Sequence, residues 1–582
     1  MKKRIAALFL TLVMALCAVQ AMAEIPIIAS TDVNLEEYTV DPADPLKCFI
    51  SGMIRTDLTL EDGTARTLYQ YIPETVQYRQ ASVAIAIPTG ADPVEFIETT
   101  GWKAQADEQG FTLIVITAGD QGWQHDESAY TAATYKYMND RTYLYTEIAA
   151  FYMVGYGDGA NAVMAHAVVN SEKFSGFAAF GVDAFDVSVL ETGRTTPSND
   201  PEIMKSEVKV PVWFAAAEET ESVKELRAYW QNANELTGTD AVRNDYADEI
   251  YTYPVYMIKD YDLTDMHVAT VRVTWDTARA TTPEFTNELW NNFLRRVRRQ
   301  ESAMVNALRA FATNAELGMD TVKLVVDGVT REFDVYVPTA VKEGKVQNVP
   351  VVFSYHGNGG SGESFSNRTS WNKTAEERQF ICVFPTGSRT GNFKPTASWR
   401  EEPDIEFFKV ARAYVLENYS VDKTRVYVTG QSMGSAMTWY VVLNCPELIA
   451  AAAPNDGLLN MELYQEAKLD VVMPVIFNVG TLDKHFMEGG RNYQQTSEVM
   501  KIMASWYGNT KTEEETFKYQ TGRFYGYVWT NKDGLPVLQE QWVVDKIHAM
   551  IPEETYLLYD FMANYTRGVD GTSYYMGVAI EK

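Results

Sequence analysis

Cysteine is scarce in this chain. Its four residues, at positions 17, 48, 382 and 445, have neither the density nor the spacing of a disulfide framework or a metal site, and Cys382, inside the apolar run Phe380-Ile381-Cys382-Val383-Phe384, reads as a buried thiol. Positive charge is also short: 50 Lys and Arg against 78 Asp and Glu leave a net charge of −28. A field of that sign repels nucleic acid and is that of a solvated acidic surface. Past the first two dozen residues no stretch is apolar over the ~20 residues a membrane span needs. The start itself, Met1-Lys2-Lys3-Arg4, an apolar run from Ile5 to about Ala18, then Ala21-Met22-Ala23 before Glu24, follows the order of a cleavable export signal over residues 1–23. A secreted or surface-held mature chain beginning near Glu24 is expected. Leu16, directly before Cys17, is bulky where a lipidation site takes a small residue. What is abundant is apolar side chain, 46% of 582 residues, enough for at least two domains with large cores.

The chain repeats itself once. Asp62-Gly63 followed by Arg66, Tyr71 and Pro73 is matched at identical spacing by Asp327-Gly328 followed by Arg331, Tyr336 and Pro338, each the pattern of a hairpin turned at Asp-Gly. Trp102, Ala106 and Phe111 are matched by Trp371, Ala375 and Phe380, a short helix running into a buried strand. Tyr152 to Gly159 parallels Tyr427 to Gly434, Pro211 to Phe214 parallels Pro474 to Phe477, and Pro283-Glu284 parallels Pro552-Glu553. The expected organisation is one unit over 24–300, closed by an Arg-rich helix from Glu288 to Phe311, a connector over 301–312, and a homologous unit over 313–582. Buried strands alternate with helical stretches in both, which predicts an α/β architecture of mainly parallel sheets with helices on both faces.

The run Arg425 to Met437 contains Gly430-Gln431-Ser432-Met433-Gly434, between a β-branched strand and a helix. Such a turn exposes a serine hydroxyl at the sheet end, and only small residues at 430 and 434 let strand and helix approach. A serine hydroxyl needs a base, and in α/β-hydrolases nucleophile, acid and histidine follow in that order on later strand ends. The strand Val471 to Gly480 ends just before Asp483, and the strand beginning near Trp542 runs out to His548. His485, two residues from the acid, is poorly placed to be a separate base. The predicted constellation is Ser432 as nucleophile, His548 as base and Asp483 as its orienting acid. An oxyanion needs N–H donors. The strand Val349 to Tyr355 leads into His356-Gly357-Asn358-Gly359-Gly360, so the N–H groups of Asn358 and Met433 are the expected hole and His356 a structural residue of the turn. No cluster of His, Cys or Asp accompanies His356, so no metal site is expected.

These motifs together, His356 to Gly360, Trp371-Asn372, Arg425 to Gly434 and Ala450-Ala451-Ala452-Ala453-Pro454, resemble the extracellular polyhydroxybutyrate depolymerase-like esterases, which include feruloyl and acetylxylan esterases. The likeness covers most of 313–582 and implies two tandem α/β-hydrolase domains, acyl-ester hydrolysis through an acyl-enzyme, no cofactor, and an ester substrate, polymeric where it is a polysaccharide or polyester. It also implies Trp399 as a substrate-lining aromatic, with plain packing as the alternative. The sequence departs from the family at Asn358, where a cysteine is expected, and after His548, where Ala549-Met550-Ile551 precede Pro552.

In the first unit Gly157 stands opposite Ser432, Thr220 opposite Asp483 and Arg279 opposite His548, so its chemistry is expected to be lost. A structural partner for the second unit, or a polymer-binding surface using aromatics such as Trp123, remain as its roles. The rival functions are a peptidase with the same triad and a non-catalytic polymer-binding protein.

Overall fold

A computed structural model describes residues 25–140, 143–253, 266–299, 307–390, 396–507 and 517–581. The expected export signal lies outside them, as do residues 301–306 of the expected connector. In the first half the strands are β1 (Ile27–Ala29), β2 (Gly52–Thr59), β3 (Ala65–Ile72), β4 (Gln80–Ala86), β5 (Thr112–Ile116), β6 (Thr146–Tyr156), β7 (Gly176–Phe180), β8 (Val212–Ala215), β9 (Glu249–Tyr251) and β10 (Val271–Thr274). They form one sheet in the order β1-β2-β3-β5-β4-β6-β7-β8-β10-β9. A short antiparallel pair follows, β11 (Val297–Arg299) with β12 (Leu308–Ala310). The second half contributes β13 (Asp320–Val326), β14 (Val329–Tyr336), β15 (Val349–Tyr355), β16 (Ile381–Pro385), a hairpin of β17 (Ser388–Thr390) and β18 (Thr396–Ser398), then β19 (Val421–Gln431), β20 (Ala451–Asn455), β21 (Val475–Gly480), β22 (Phe517–Thr521), β23 (Phe524–Thr530) and β24 (Pro536–Val543). Its sheet runs β13-β14-β16-β15-β19-β20-β21-β24-β23-β22.

From β2 and from β13 the two sheets follow the same path: an antiparallel hairpin, a swapped third and fourth strand, then parallel strands in sequence order. This is the α/β-hydrolase topology. The hairpins turn where expected, with Gly63 at φ 83°, Asp327 at φ 50° and Gly328 at φ 82°, the left-handed conformations a tight hairpin loop requires. Central strands are buried along their whole length, as befits a sheet covered on both faces.

Equivalent side chains also make equivalent bonds. Tyr152 donates its hydroxyl to Val297 O at 2.6 Å and Tyr427 donates to Tyr565 O at 2.9 Å. Arg299 reaches the carbonyls of Phe174 and Lys209, and Arg567 those of Ile449 and Val472. The Arg-rich helix expected over 288–311 is corrected: the helix is Pro283–Asn292, and the chain then enters β11. Arg298 and Arg299 there are buried and hydrogen-bonded to carbonyls, which gives the arginines of the segment expected as a helix a structural role in a strand. β12 likewise gives part of the expected connector a defined structure.

Candidate active site

Ser432 joins β19 to the helix Met433–Asn444 with φ 60° and ψ −116°, a strained conformation for a residue with a Cβ. Its flanking glycines are obligatory. A Cβ on Gly430 would lie 2.4 Å from Gly434 O, and one on Gly434 would lie 2.0 Å from Tyr355 O. The Ser432 N–H donates to Asn455 O at 2.9 Å, which fixes the turn against the end of β20. Among the described residues the Ser432 hydroxyl makes no hydrogen bond, and catalytic contacts of this kind commonly tighten only with substrate bound.

Asp483 and His548 meet at the ends of β21 and β24. Asp483 Oδ2 lies 2.5 Å from His548 Nδ1, and Asp483 Oδ1 accepts the His485 N–H at 2.9 Å. The Asp483 side chain is fully buried, whereas 28% of the His548 side chain remains exposed. Burial alone would raise the Asp483 carboxyl, but the bond to His548, the nearby imidazole charge and the His485 N–H outweigh it and hold it below its ordinary value. The two loops are laced together: Leu482 N–H donates to Lys546 O at 2.9 Å and Asp545 N–H to Thr481 Oγ1 at 2.9 Å. His485 stands edge-on to His548, 5.3 Å between ring centres, beside the pair rather than in it.

Sequence reasoning missed what stands behind this pair. Lys546, Asp456 and Glu554 are completely buried, with Lys546 Nζ 2.8 Å from Asp456 Oδ2 and 2.6 Å from Glu554 Oε1. Asn455 Oδ1 accepts from Lys546 Nζ at 2.7 Å, and Asn478 Nδ2 donates to Glu554 at 2.7 Å. Burial would lower the ammonium, but the two carboxylates dominate and hold it above its usual value. Ligand atoms of Asp456, Asp483 and His548 come within 4.8 Å of one another. Asp456 already faces the Lys546 ammonium and Asp483 is bound to the imidazole, so a metal ion there would have to displace two internal partners.

The turn 356–360 abuts the serine. A Cβ on Gly357 would lie 2.9 Å from Gln431 Oε1 and 3.4 Å from Ser432 Cβ. Asn358 is exposed at its tip, while Met433 opens its helix with an N–H free of any intrahelical acceptor. His356 is buried. Its Nε2 accepts the Gly387 N–H at 2.8 Å, so Nδ1 carries the proton donated to Gly357 O at 2.6 Å. Burial, reinforced by Arg79 and Arg331 and opposed by the bond to Gly357, pushes it down to about 3, so it stays neutral. Trp399 is 1% exposed, donates its indole N–H to His356 O at 2.7 Å and packs on Tyr355 and His356. In this structure it is a packing residue of the turn rather than an open substrate wall. Trp123 does the same in the first half, donating to Ile87 O at 2.8 Å. Ile87 follows the strand residue Ala86 that pairs with Gly155, as His356 follows Tyr355, which pairs with Gly430.

At the corresponding elbow Gly157 has φ 55° and its N–H donates to Phe180 O at 2.9 Å, the geometry of Ser432 without the hydroxyl. Thr220 caps the helix Glu221–Ala233, and Arg279 pairs with Asp248 at 2.9 Å.

No protein-family model matches the chain. Among curated proteins it is 26% identical over 174 residues, 30% of its length and 24% of the relative's, to a bifunctional acetylxylan esterase/xylanase of Neocallimastix patriciarum. It is 29% identical over 124 residues, 20% of its length and 30% of the relative's, to poly(3-hydroxyalkanoate) depolymerase C of Paucimonas lemoignei. To feruloyl esterase B of Talaromyces funiculosus it is 25% identical over 145 residues, 24% of its length and 40% of the relative's. The chain thus spans no more than 40% of these relatives' lengths. The relatives are carboxylic-ester hydrolases of the groups named by the sequence motifs. Among the described residues no helix is long and apolar enough to cross a membrane.

Proposed function

We propose that this protein is a secreted serine esterase whose catalytic unit, residues 313–582, hydrolyses feruloyl or acetyl esters on plant polysaccharide or a hydroxyalkanoate-type polyester. The observation that carries the reading is the buried Asp483 bound to a half-open His548, on the same strand ends as a serine held in a strained elbow. Ser432 Oγ bonds to the ester carbonyl carbon as the free Nε2 of His548 takes its proton, and Asp483 holds the imidazole tautomer and stabilises the imidazolium. The N–H groups of Asn358 and Met433 receive the oxyanion. Collapse breaks the bond to the alcohol oxygen, which leaves with the proton from His548. Water, deprotonated by the same imidazole, attacks the acyl-enzyme, and the carboxylic acid departs as Ser432 recovers its proton.

Residues 24–300 are a degenerate copy in this reading. Shared strand order, the matched Tyr152/Tyr427 and Arg299/Arg567 bonds and the hydroxyl-free elbow at Gly157 support a tandem duplication in which one copy lost its chemistry.

Hydrolysis of p-nitrophenyl acetate, p-nitrophenyl butyrate and methyl ferulate by the purified protein beside Ser432→Ala tests the proposal. Turnover by the wild type that vanishes in the variant is expected. Equal background from both proteins overturns it.

A further inference from the structure

The turn at 356–360 is held from both halves of the chain. Gly359, at φ 75°, lies against two side chains of the first half, Arg79 and Tyr145. Its carbonyl accepts from the Arg79 guanidinium. Its N–H donates to Ala397 O at 2.8 Å, and the Ala397 N–H donates in turn to the Tyr78 hydroxyl at 3.1 Å. A Cβ on Gly359 would lie 2.4 Å from the Tyr145 hydroxyl, so the close approach requires glycine.

The clamp is rigid from the other side too. Arg79 is itself in the left-handed region at φ 65°. It is paired with Glu147, one of whose oxygens accepts from Nη2 at 3.0 Å, and its guanidinium lies 5.8 Å from the Tyr145 ring centre. Its N–H donates to Tyr145 O at 2.8 Å, and Tyr78 and Tyr145 pack with ring centres 5.0 Å apart. An arginine with one carboxylate partner and a fork to spare offers its remaining N–H groups to a carbonyl in fixed geometry.

From this we infer that the first half is a positioning element of the active site: Tyr78, Arg79 and Tyr145 set the orientation of the Asn358-Gly359 segment and so aim the oxyanion donor at the oxygen of the carbonyl attacked by Ser432. The inference rests on the esterase reading for its catalytic consequence, but the clamp on the turn stands independently of it. A non-catalytic copy retained only for bulk stability would need no half-buried guanidinium on a turn that abuts the nucleophile. Misaiming an oxyanion donor acts on the transition state and leaves ground-state binding nearly untouched, so the loss falls on kcat.

The test uses the full chain with Arg79→Met, Arg79→Lys and Tyr78→Phe, read by steady-state kinetics on p-nitrophenyl acetate and by amide hydrogen exchange of the peptide spanning 356–361. Expected are a kcat reduced about 10- to 100-fold with KM changed less than about threefold in Arg79→Met, partial recovery in Arg79→Lys, a smaller loss in Tyr78→Phe, and faster exchange at 356–361 with the Ser432 helix unchanged. Wild-type kcat together with wild-type exchange in Arg79→Met overturns the inference, as does faster exchange with kcat unmoved. If Arg79→Met does not fold, Tyr78→Phe decides by the same two measurements. If the wild type hydrolyses nothing, the esterase reading has failed, and the exchange comparison alone still decides whether the first half holds the turn.

Discussion

Asp483 has no contact with solvent, and its two oxygens are divided between His548 and the His485 amide. Replacing it by asparagine keeps the shape but offers an N–H where the imidazole needs an acceptor, so the wrong tautomer is favoured. Asp483→Asn is expected to lower kcat by on the order of 10²- to 10⁴-fold with KM little changed, measured by steady-state hydrolysis of p-nitrophenyl butyrate. The residues of the pair were legible because each follows the end of an apolar strand. Lys546, Asp456 and Glu554 were not: Asp456 lies 90 residues before Lys546, all three have the composition of a solvated surface, and only the fold shows that they meet with their side chains fully buried. For Trp399 the sequence left two roles open for a related reason. An indole beside a site turn has one composition whether it faces substrate or donates to the backbone under the turn, and Trp399, like Trp123 in the first half, makes the backbone donation.

At the scale of elements, the elbow was the most legible part of the chain, because its glycines are demanded by distances no other residue satisfies. Gly434→Ala would drive a methyl group into the Tyr355 carbonyl, and neither β15 nor β19 can retreat from a fully paired sheet. The variant is expected to lose about 3 kcal/mol or more of stability, read as a shift in urea midpoint at unchanged slope. The segment after Asn292 was the least legible element. It was read as a continuing Arg-rich helix, yet Arg299 is buried on the carbonyls of Phe174 and Lys209, 125 and 90 residues away in sequence, a tertiary contact that no local periodicity contains.

Across the whole molecule, the repeat in the sequence foretold two sheets of one topology, while the way the halves meet had no sequence signal: Thr330 N–H on Pro42 O, Arg389 on Lys47 O, Ala397 N–H on Tyr78 are mostly bonds to backbone, which any sequence offers. Global stability should also carry the mark of one buried acid. Asp334 accepts from Thr321 Oγ1 at 2.6 Å, and burial, moderated by that bond and reinforced by Glu332, pushes its carboxyl up to about 7. A raised carboxyl binds its proton more tightly in the folded than in the unfolded chain, so its contribution is full below the unfolded value near 4 and is lost as pH rises toward 7. Asp334→Asn should therefore gain on the wild type by on the order of 1–3 kcal/mol between pH 4.5 and pH 8, as the difference between the two proteins' urea unfolding free energies at each pH.

Arg79 and the Gly359 carbonyl it holds are 280 residues apart, and synthesis runs from the first to the second. The buttress is therefore made before the turn exists. In the folded chain the first half's surface is the mould against which the second half's loop takes its shape.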